Sequence, residues 1–473
     1  MAQSGRCQES VPWCVLRTRL QRARTRVFRI DDRRRFFRGS APRGLLLSLV
    51  TAAHRRLLGR QPQPLHWGVY RFLPSRWRTR LEIALTGEQS EKRFESHVRS
   101  DPELIRKLYE GRLLPSVQVD VFRNTHRLFA TRTVRRGAEV RRLASAEPLS
   151  PDVPIPSRSE TYDLFDYLSR NRVASLLILK SGRISFEHHD FGNYETTRWL
   201  SMSMAKSVST ILVGAAIHDG SIRSVEDPLT AYLPELRSTA YEGVSIRHLL
   251  QMTSGVRWDD AHTDPRSERR QMLELQIRQE PGAILRYIAN QPRVAEPGTL
   301  WNYSTGETHV IGALLRAATG RWVSDYLCEK IWSKVGMEAD ASWWLEAPQG
   351  LEVAGSGISA TLRDYGRFGL FVMNDGVIDG DRALPERWVR DCGAPRQVGG
   401  KRTDYGYMWW PVPDRGGSYD DEALSARGIF GQFIYVNPRR QIVIVVWSSR
   451  SKPKGAEAIV DNDFFNSVVE ALR

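Results

Sequence analysis

The apolar and polar positions divide the chain into an arginine-dense leading stretch and a long mixed region. In the mixed region, residues 173–189 (VASLLILKSGRISFEHH) place an unbroken apolar run before Ser181–Gly182 and an alternating run after it. An apolar run, a two-residue turn ending in glycine and a period-two run together predict a hairpin. Residues 431–449 (GQFIYVNPRRQIVIVVWSS) repeat the arrangement, with a turn at Asn437–Pro438. Between the hairpins, apolar positions at helical spacing predict helices over 203–217, 245–252, 306–319, 322–334 and 361–374. Strands at both ends with helices between predict an α+β fold. Its antiparallel β-sheet is flanked by helices, its terminal strands pair, and a helical subdomain is inserted.

The expected organisation is a domain over residues 159–473, preceded by a lead-in segment and linker over 101–158 and an Arg-rich extension over 1–100. The lead-in carries short β-like runs from Leu114 onward (VQVDVF, RLFATRTV), and a Pro/Ser-rich linker spans Pro148 to Ser159.

Charge changes this picture only at the leading end. The formal net charge is +15, but residues 1–150 hold 32 Lys and Arg against 13 Asp and Glu, and the remainder holds 37 against 41. The basic excess therefore belongs to the extension, which lacks a nucleic-acid-binding fold signature and aromatics spaced as stacking platforms. Nucleic acid is not an expected partner. The run Leu45–Ala53 starts deep in the chain with Arg55 and Arg56 directly after it, so it fits a signal peptide poorly while export through residues 1–60 stays open, and it is too short to span a bilayer. Contact with a membrane surface through the basic extension stays open, and a cytoplasmic location is expected. Cys7, Cys14, Cys328 and Cys392 show neither metal-ligand spacing nor a disulfide framework, which leans towards a reducing compartment. Cys328 falls in an apolar helical pattern and is expected to be buried.

The candidate chemistry starts at Ser203-Met204-Ala205-Lys206. On a helix, Ser-x-x-Lys places both side chains on one face, one turn apart. Lysine can accept the serine proton only when desolvation or a nearby cation keeps it partly neutral. The run Val208, Ile211, Leu212, Val213, Ala215, Ala216 predicts that desolvation. Ser449–Lys452 and Ser451–Lys454 share the spacing but lie in a polar segment broken by Pro453. On the motif alone, an N-capping serine followed by a surface lysine is an equal reading. A second element, Glu296-Pro297-Gly298-Thr299-Leu300-Trp301-Asn302-Tyr303-Ser304-Thr305-Gly306, reads as a turn, a short aromatic strand and a helix start. Tyr303 there could face a pocket, where a lysine would lower its phenol pKa from about 10, or could simply be packed.

These elements, with His248-Leu249-Leu250-Gln251-Met252-Thr253-Ser254-Gly255 and Gly355-Ser356-Gly357-Ile358-Ser359-Ala360-Thr361-Leu362-Arg363-Asp364, resemble the class C β-lactamase and penicillin-binding-protein superfamily in motif order. That group includes D-amino-acid peptidases, family VIII esterases and 6-aminohexanoate-oligomer hydrolases. The 6-aminohexanoate-dimer hydrolase type is most similar, through GVRWDD (255–260), DPRSE (264–268) and the ARG-x-x-GQ-x-x-YV-x-P run. The resemblance implies Ser203 as nucleophile, Lys206 as base and Tyr303 as second acid/base, with no metal or organic cofactor. It also implies an oxyanion hole from the backbone N–H groups of Ser203 and Gln432.

Two departures bear on substrate. Ile429 stands where the family places a carboxylate-gripping Lys or His, and Thr305 replaces the Asn of Tyr-x-Asn. Loss of that cation should weaken carboxylate recognition by several kcal/mol, favouring a small-molecule amide or ester. His262 occupies the loop where the dimer hydrolases carry a substrate-gripping tyrosine. His262, Ile429, Phe430 and Gly431 are the candidate substrate-binding residues. The alternatives are D-amino-acid peptidase or β-lactamase activity, or a catalytically silent binding protein. Elsewhere His248 reads as structural, and His188-His189-Asp190 cannot converge on one metal ion along a strand. Asp259–Asp260 is expected to cap or line a loop. One tryptophan of each pair, Trp343–Trp344 and Trp409–Trp410, is expected inside.

Overall fold

The computed structural model describes residues 101–473; the Arg-rich extension, with Leu45–Ala53, lies outside the described residues. The principal sheet comprises β1 (Val173–Lys180), β2 (Arg183–His189), β3 (Trp410–Pro411), β4 (Leu424–Gly428), β5 (Gln432–Asn437) and β6 (Ile442–Ser448). Its spatial order is β3-β4-β5-β6-β1-β2, antiparallel at every pairing. The terminal strands pair as expected, with Ile178 of β1 opposite Ile444 of β6. The β1–β2 turn takes φ +49° at Ser181 and +74° at Gly182, the left-handed pair that matches the twist of a two-residue hairpin.

The helices that matter for the site are α1 (Met204–His218), α2 (Glu268–Arg278), α3 (Thr305–Thr319), α4 (Leu362–Met373) and α5 (Asp461–Ala471). Leu177, Leu179, Ile434 and Val443 of the sheet face the core that contains α4. Gly366 and Gly369 let that helix close in, since a Cβ would lie 2.6 Å from Leu177 Cδ2 and 2.5 Å from Val443 Cγ1 respectively. On the opposite face, Leu176, Ile178, Ile444 and Val446 pack with Phe464, Phe465 and Val468 of α5. Burial on both faces explains why β1 and β6 read as unbroken apolar runs. Each such side chain contributes about 1.5–3 kcal/mol relative to exposure.

The lead-in segment folds against the same body. Ile105, Leu108, Tyr109, Val119 and Phe122 belong to the core that holds α1 and α3. VQVDVF, expected as a strand, lies within a helix, Pro115–Arg123. Pro115 at the first turn suits a helix start, and Gln118, Val119, Val121 and Phe122 form its buried face. Thr131–Val134 is a strand, paired with Ala341–Trp344 in a second sheet completed by Ile358–Thr361 and Arg198–Leu200. Both Trp343 and Trp344 are buried there, against the expectation of one inside. Trp343 Nε1 donates to Val353 O and Ser356 O and Trp344 Nε1 to Thr125 O, so neither indole needs solvent. Pro148–Ser159, read as a linker, buries Leu149, Val153 and Ile155 and ends in a strand paired with Glu160–Tyr162. Cys328 opens a π-helical turn and is half-buried. Among the described residues no helix is long and apolar enough to cross a membrane.

Candidate active site

Ser203 stands at the N-cap of α1, and the preceding Met202 takes φ +46°. A non-glycine residue held left-handed costs free energy that the surroundings must offset. Ser201 supplies part of that support: its N–H donates to Ile358 O at 2.7 Å and its Oγ accepts from Ile358 N at 3.1 Å. Ser203 Oγ does not cap the helix. It accepts instead from Lys206 Nζ at 2.9 Å, which removes the N-cap reading of the motif.

Lys206 is 1 % exposed and donates its second bond to Gly355 O at 3.0 Å. Burial penalises the ammonium and brings its pKa down to about 7, partly opposed by the Asp260 carboxylate. A lysine poised there is neutral for a useful fraction of the time at neutral pH.

Tyr303 is presented by a short extended segment. Asn302 N–H donates to Met252 O at 2.9 Å, Asn302 Nδ2 donates to Trp258 O at 2.8 Å, and Ser304 Oγ caps α3 by accepting from Glu307 N at 3.1 Å. The ring stacks on Trp410 at 6.1 Å and meets Tyr405 edge-on at 6.0 Å. Lys206 Nζ lies 5.3 Å from its centroid, and its hydroxyl is within hydrogen-bonding reach of the Ser203 side chain. The expected lowering of its phenol pKa is overturned. Burial and the Asp260 carboxylate raise it well above the usual value, which favours the neutral phenol over a phenolate.

Asp260 is a site residue that the sequence reading left as a loop cap. Its Oδ1 accepts from Trp258 Nε1 at 2.8 Å and from Thr305 N at 3.0 Å, tying the Ser-Gly loop to the start of α3. Its Oδ2 is buried without a hydrogen bond and lies 3.8 Å from His262 Nε2. Burial opposes its ionisation, but His262, Lys206 and Arg269 together hold its pKa below the usual carboxylate value. The only sequence signal was its place five residues after Gly255.

Ser203, Tyr303, His262, Trp301, Trp410 and Ile429 line a cavity of about 470 Å³, which continues past Arg427 to Asn462. Two glycines allow close approaches in its wall, Gly428 to the turn that carries Ser203 and Gly431 to Arg450. A Cβ on Gly428 would lie 2.6 Å from Ser201 O, and Gly431, at φ +84°, would place one 2.5 Å from Arg450 Nε.

A family model described as Beta-lactamase matches residues 166–463. The chain belongs to the β-lactamase family. It is 27% identical over 336 residues to the 6-aminohexanoate-dimer hydrolase of Paenarthrobacter ureafaciens, covering 67% of this chain and 83% of that one. It is 22% identical over 307 residues to a β-lactamase of Escherichia coli K12, covering 54% and 76%. Among solved structures, one assigned to a 6-aminohexanoate-dimer hydrolase from Bacillus anthracis superposes with a TM-score of 0.64 at 22% identity, over 74% of this chain and 92% of that one. At that identity the superposition speaks for the fold alone, the β-lactamase/transpeptidase-like α+β fold.

Within this β-lactamase-family site the other predicted residues separate. His262 lines the cavity, and burial drives its pKa down to about 3, leaving a neutral imidazole whose Nδ1 has no hydrogen-bond partner among the described residues. Ile429 and Gly431 also line the cavity. Phe430 does not: it is fully buried, with its ring 5.7 Å from that of Phe122. Gln432 is likewise buried, and its side chain braces the turn by donating to Phe430 O at 3.1 Å and Ser448 O at 2.7 Å. Thr305 Oγ1 is buried without a partner. His248 is structural as read, accepting at Nδ1 from Ser245 N at 3.2 Å in a capping box. Trp409 is inside while Trp410 reaches the cavity.

Proposed function

We propose that this chain is a serine hydrolase that cleaves a small-molecule amide or ester through an acyl-enzyme on Ser203. The observation that carries the reading is the 2.9 Å contact of a buried Lys206 Nζ, with a pKa near 7, on Ser203 Oγ. Neutral Lys206 takes the hydroxyl proton as Oγ attacks the carbonyl carbon. The N–H groups of Ser203 and of Gln432 in the Gly431–Gln432 turn receive the developing oxyanion. Tyr303 donates its phenolic proton to the departing nitrogen or oxygen as the C–N or C–O bond breaks, and recovers one from the neighbouring Lys206 ammonium, without passing through the acylated Ser203 Oγ. Water then attacks the acyl-enzyme, its proton returning along the same groups, and Ser203 is released. His262, neutral and facing the cavity, is positioned to hydrogen-bond the substrate, with Ile429 and Gly431 beside it.

The test is intact-mass spectrometry after treatment with a fluorophosphonate, alongside p-nitrophenyl butyrate turnover. Wild type is expected to gain a single adduct and to turn over the ester. Ser203→Ala and Lys206→Ala should do neither. Folded wild type that takes no adduct would overturn the proposal.

A further inference from the structure

The cavity does not end at the reacting groups. Beyond Trp410 it is walled by β4 and by the segment leading into α5, and this wall is rich in cations: Arg427, Arg450, Lys452 and Lys454 all line it. Three of the four are accounted for. Arg450 holds Asp461 through Nη1 at 3.0 Å and Nη2 at 2.5 Å, with Glu457 at 3.8 Å. Lys452 donates to Gly111 O at 3.0 Å, and Lys454 sits in a polar, solvent-facing turn.

Arg427 differs. Its Nε donates to Ser425 Oγ at 2.8 Å and its Nη2 to Asn462 Oδ1 at 3.2 Å, both neutral acceptors. Among the described residues, no carboxylate forms an ion pair with it and Nη1 has no acceptor. Asp461 exerts an attraction on it, but both oxygens of that carboxylate are already bonded to Arg450, and Oδ1 also accepts from Tyr167. Arg427 is half-buried, and desolvation brings its guanidinium pKa down to about 10. A desolvated charge without a direct counter-ion is costly, and a carboxylate ligand would relieve that cost through charge-assisted hydrogen bonds.

Position makes the charge useful to the reaction. The Arg427 guanidinium lies 5.4 Å from the Trp410 ring centroid, and Tyr303 stacks on the same ring at 6.1 Å, beside the edge-on rings of Tyr405 and Trp301. Gly428, the next residue along β4, abuts Ser201 in the nucleophile turn. The cavity shared by Ser203 and Arg427 is also lined by Trp410, Ile429, Phe433 and Val460, apolar surface on which an apolar chain can lie.

We propose that Arg427 is the binding site for a carboxylate on the substrate, joined to the scissile bond by a short apolar chain lying along Trp410. The proposal rests on the hydrolase reading for its purpose but not for its test. It also revises what Ile429 implied: the cation is absent from 429, but one is present two residues earlier, near the end of β4.

The experiment is calorimetric titration of full-length protein with pentanoate and with its neutral counterpart pentanamide. Wild type should bind pentanoate at least tenfold more tightly than pentanamide, with affinity falling as salt rises. Arg427→Gln should abolish the difference, and Arg427→Lys, which keeps the charge but loses the fork, should retain part of it. Circular dichroism establishes that each variant is folded. Equal affinities for the two ligands in wild type, or a preference that survives in Arg427→Gln, would overturn the proposal. Failure of the hydrolase reading would register separately, as absence of a fluorophosphonate adduct.

Discussion

At the inner end of the cavity Lys206 divides its hydrogen bonds between Ser203 Oγ and Gly355 O, and Tyr303 is closed in by Trp410 and Tyr405. At the outer end Arg427 leans on two neutral side chains and faces open volume. Both ends draw a cation away from water, Lys206 fully and Arg427 in part, with different results. Lys206 can shed its proton, and burial brings that event to neutral pH. Arginine keeps its charge at any pH near neutrality, so burial leaves Arg427 in need of a partner. The difference teaches that desolvation acts differently on the two cations: it brings the deprotonation of lysine within reach of neutral pH and leaves arginine charged and in need of an anion.

The largest effects should come from breaking the inner end. Ser203→Ala should lower kcat by roughly 10⁴-fold or more. Lys206→Ala should cost about 10²–10⁴-fold, and Tyr303→Phe somewhat less, on the order of 10²-fold. All three losses should fall on kcat, measured with p-nitrophenyl butyrate at saturation. An Arg427 substitution acts on binding instead, so a kcat loss confined to that variant would erase the contrast between the two ends.

A smaller effect sharpens the contrast through pH. Because Lys206 must be neutral, kcat/KM should rise with pH through about 7. It should then stay flat, since Tyr303 ionises only above the usual phenol range. The Asp260 carboxylate raises the Lys206 pKa; Asp260→Asn should therefore move the ascending limb to lower pH, while the amide oxygen still accepts from Thr305 N. A limb that stays in place in this variant would show that Lys206 is not the group being titrated.

The inner end was legible in the sequence because its chemistry is local. Ser203 and Lys206 are one helical turn apart, and the apolar residues that desolvate the lysine follow on the same helix. The hairpin at Ser181–Gly182 was legible for a similar reason, as two residues set its geometry. Other features depended on distant partners. VQVDVF alternates like a strand, yet its helix is fixed by the buried Gln118 donating to Arg450 O at 2.9 Å, a contact 332 residues away in sequence. Trp343 and Trp344 could both go inside because Val353, Ser356 and Thr125 supply acceptors that no local pattern announces. The rise of the Tyr303 pKa and the role of Asp260 depend on elements brought together by the fold. Arg427 was invisible for the same reason, because what marks it is an absent counter-ion.

The smallest expected effect lies just behind the inner end. Glu307, in the first turn of α3, is 2 % exposed. One carboxyl oxygen bonds with Ser254 Oγ and the other has no hydrogen-bond partner. Burial raises its pKa to about 8 from an ordinary 4.5. Between those two values the folded protein holds a proton that the unfolded chain releases. The group's contribution to stability is therefore complete below about pH 4.5 and is lost progressively as pH rises to about 8. Glu307→Gln removes the titration while keeping the shape and one hydrogen bond to Ser254. The melting temperatures of the two proteins should lie closest near pH 5 and separate in favour of the variant towards pH 8, by about 1–3 kcal/mol in stability. The catalytic limb near pH 7 should stay where it is, because Glu307 is not among the groups that shift Lys206. Parallel melting curves across that range would mean that Glu307 is ionised in the fold. The inner end would then hold a further buried carboxylate besides Asp260, and the contrast with Arg427 would have to rest on geometry alone.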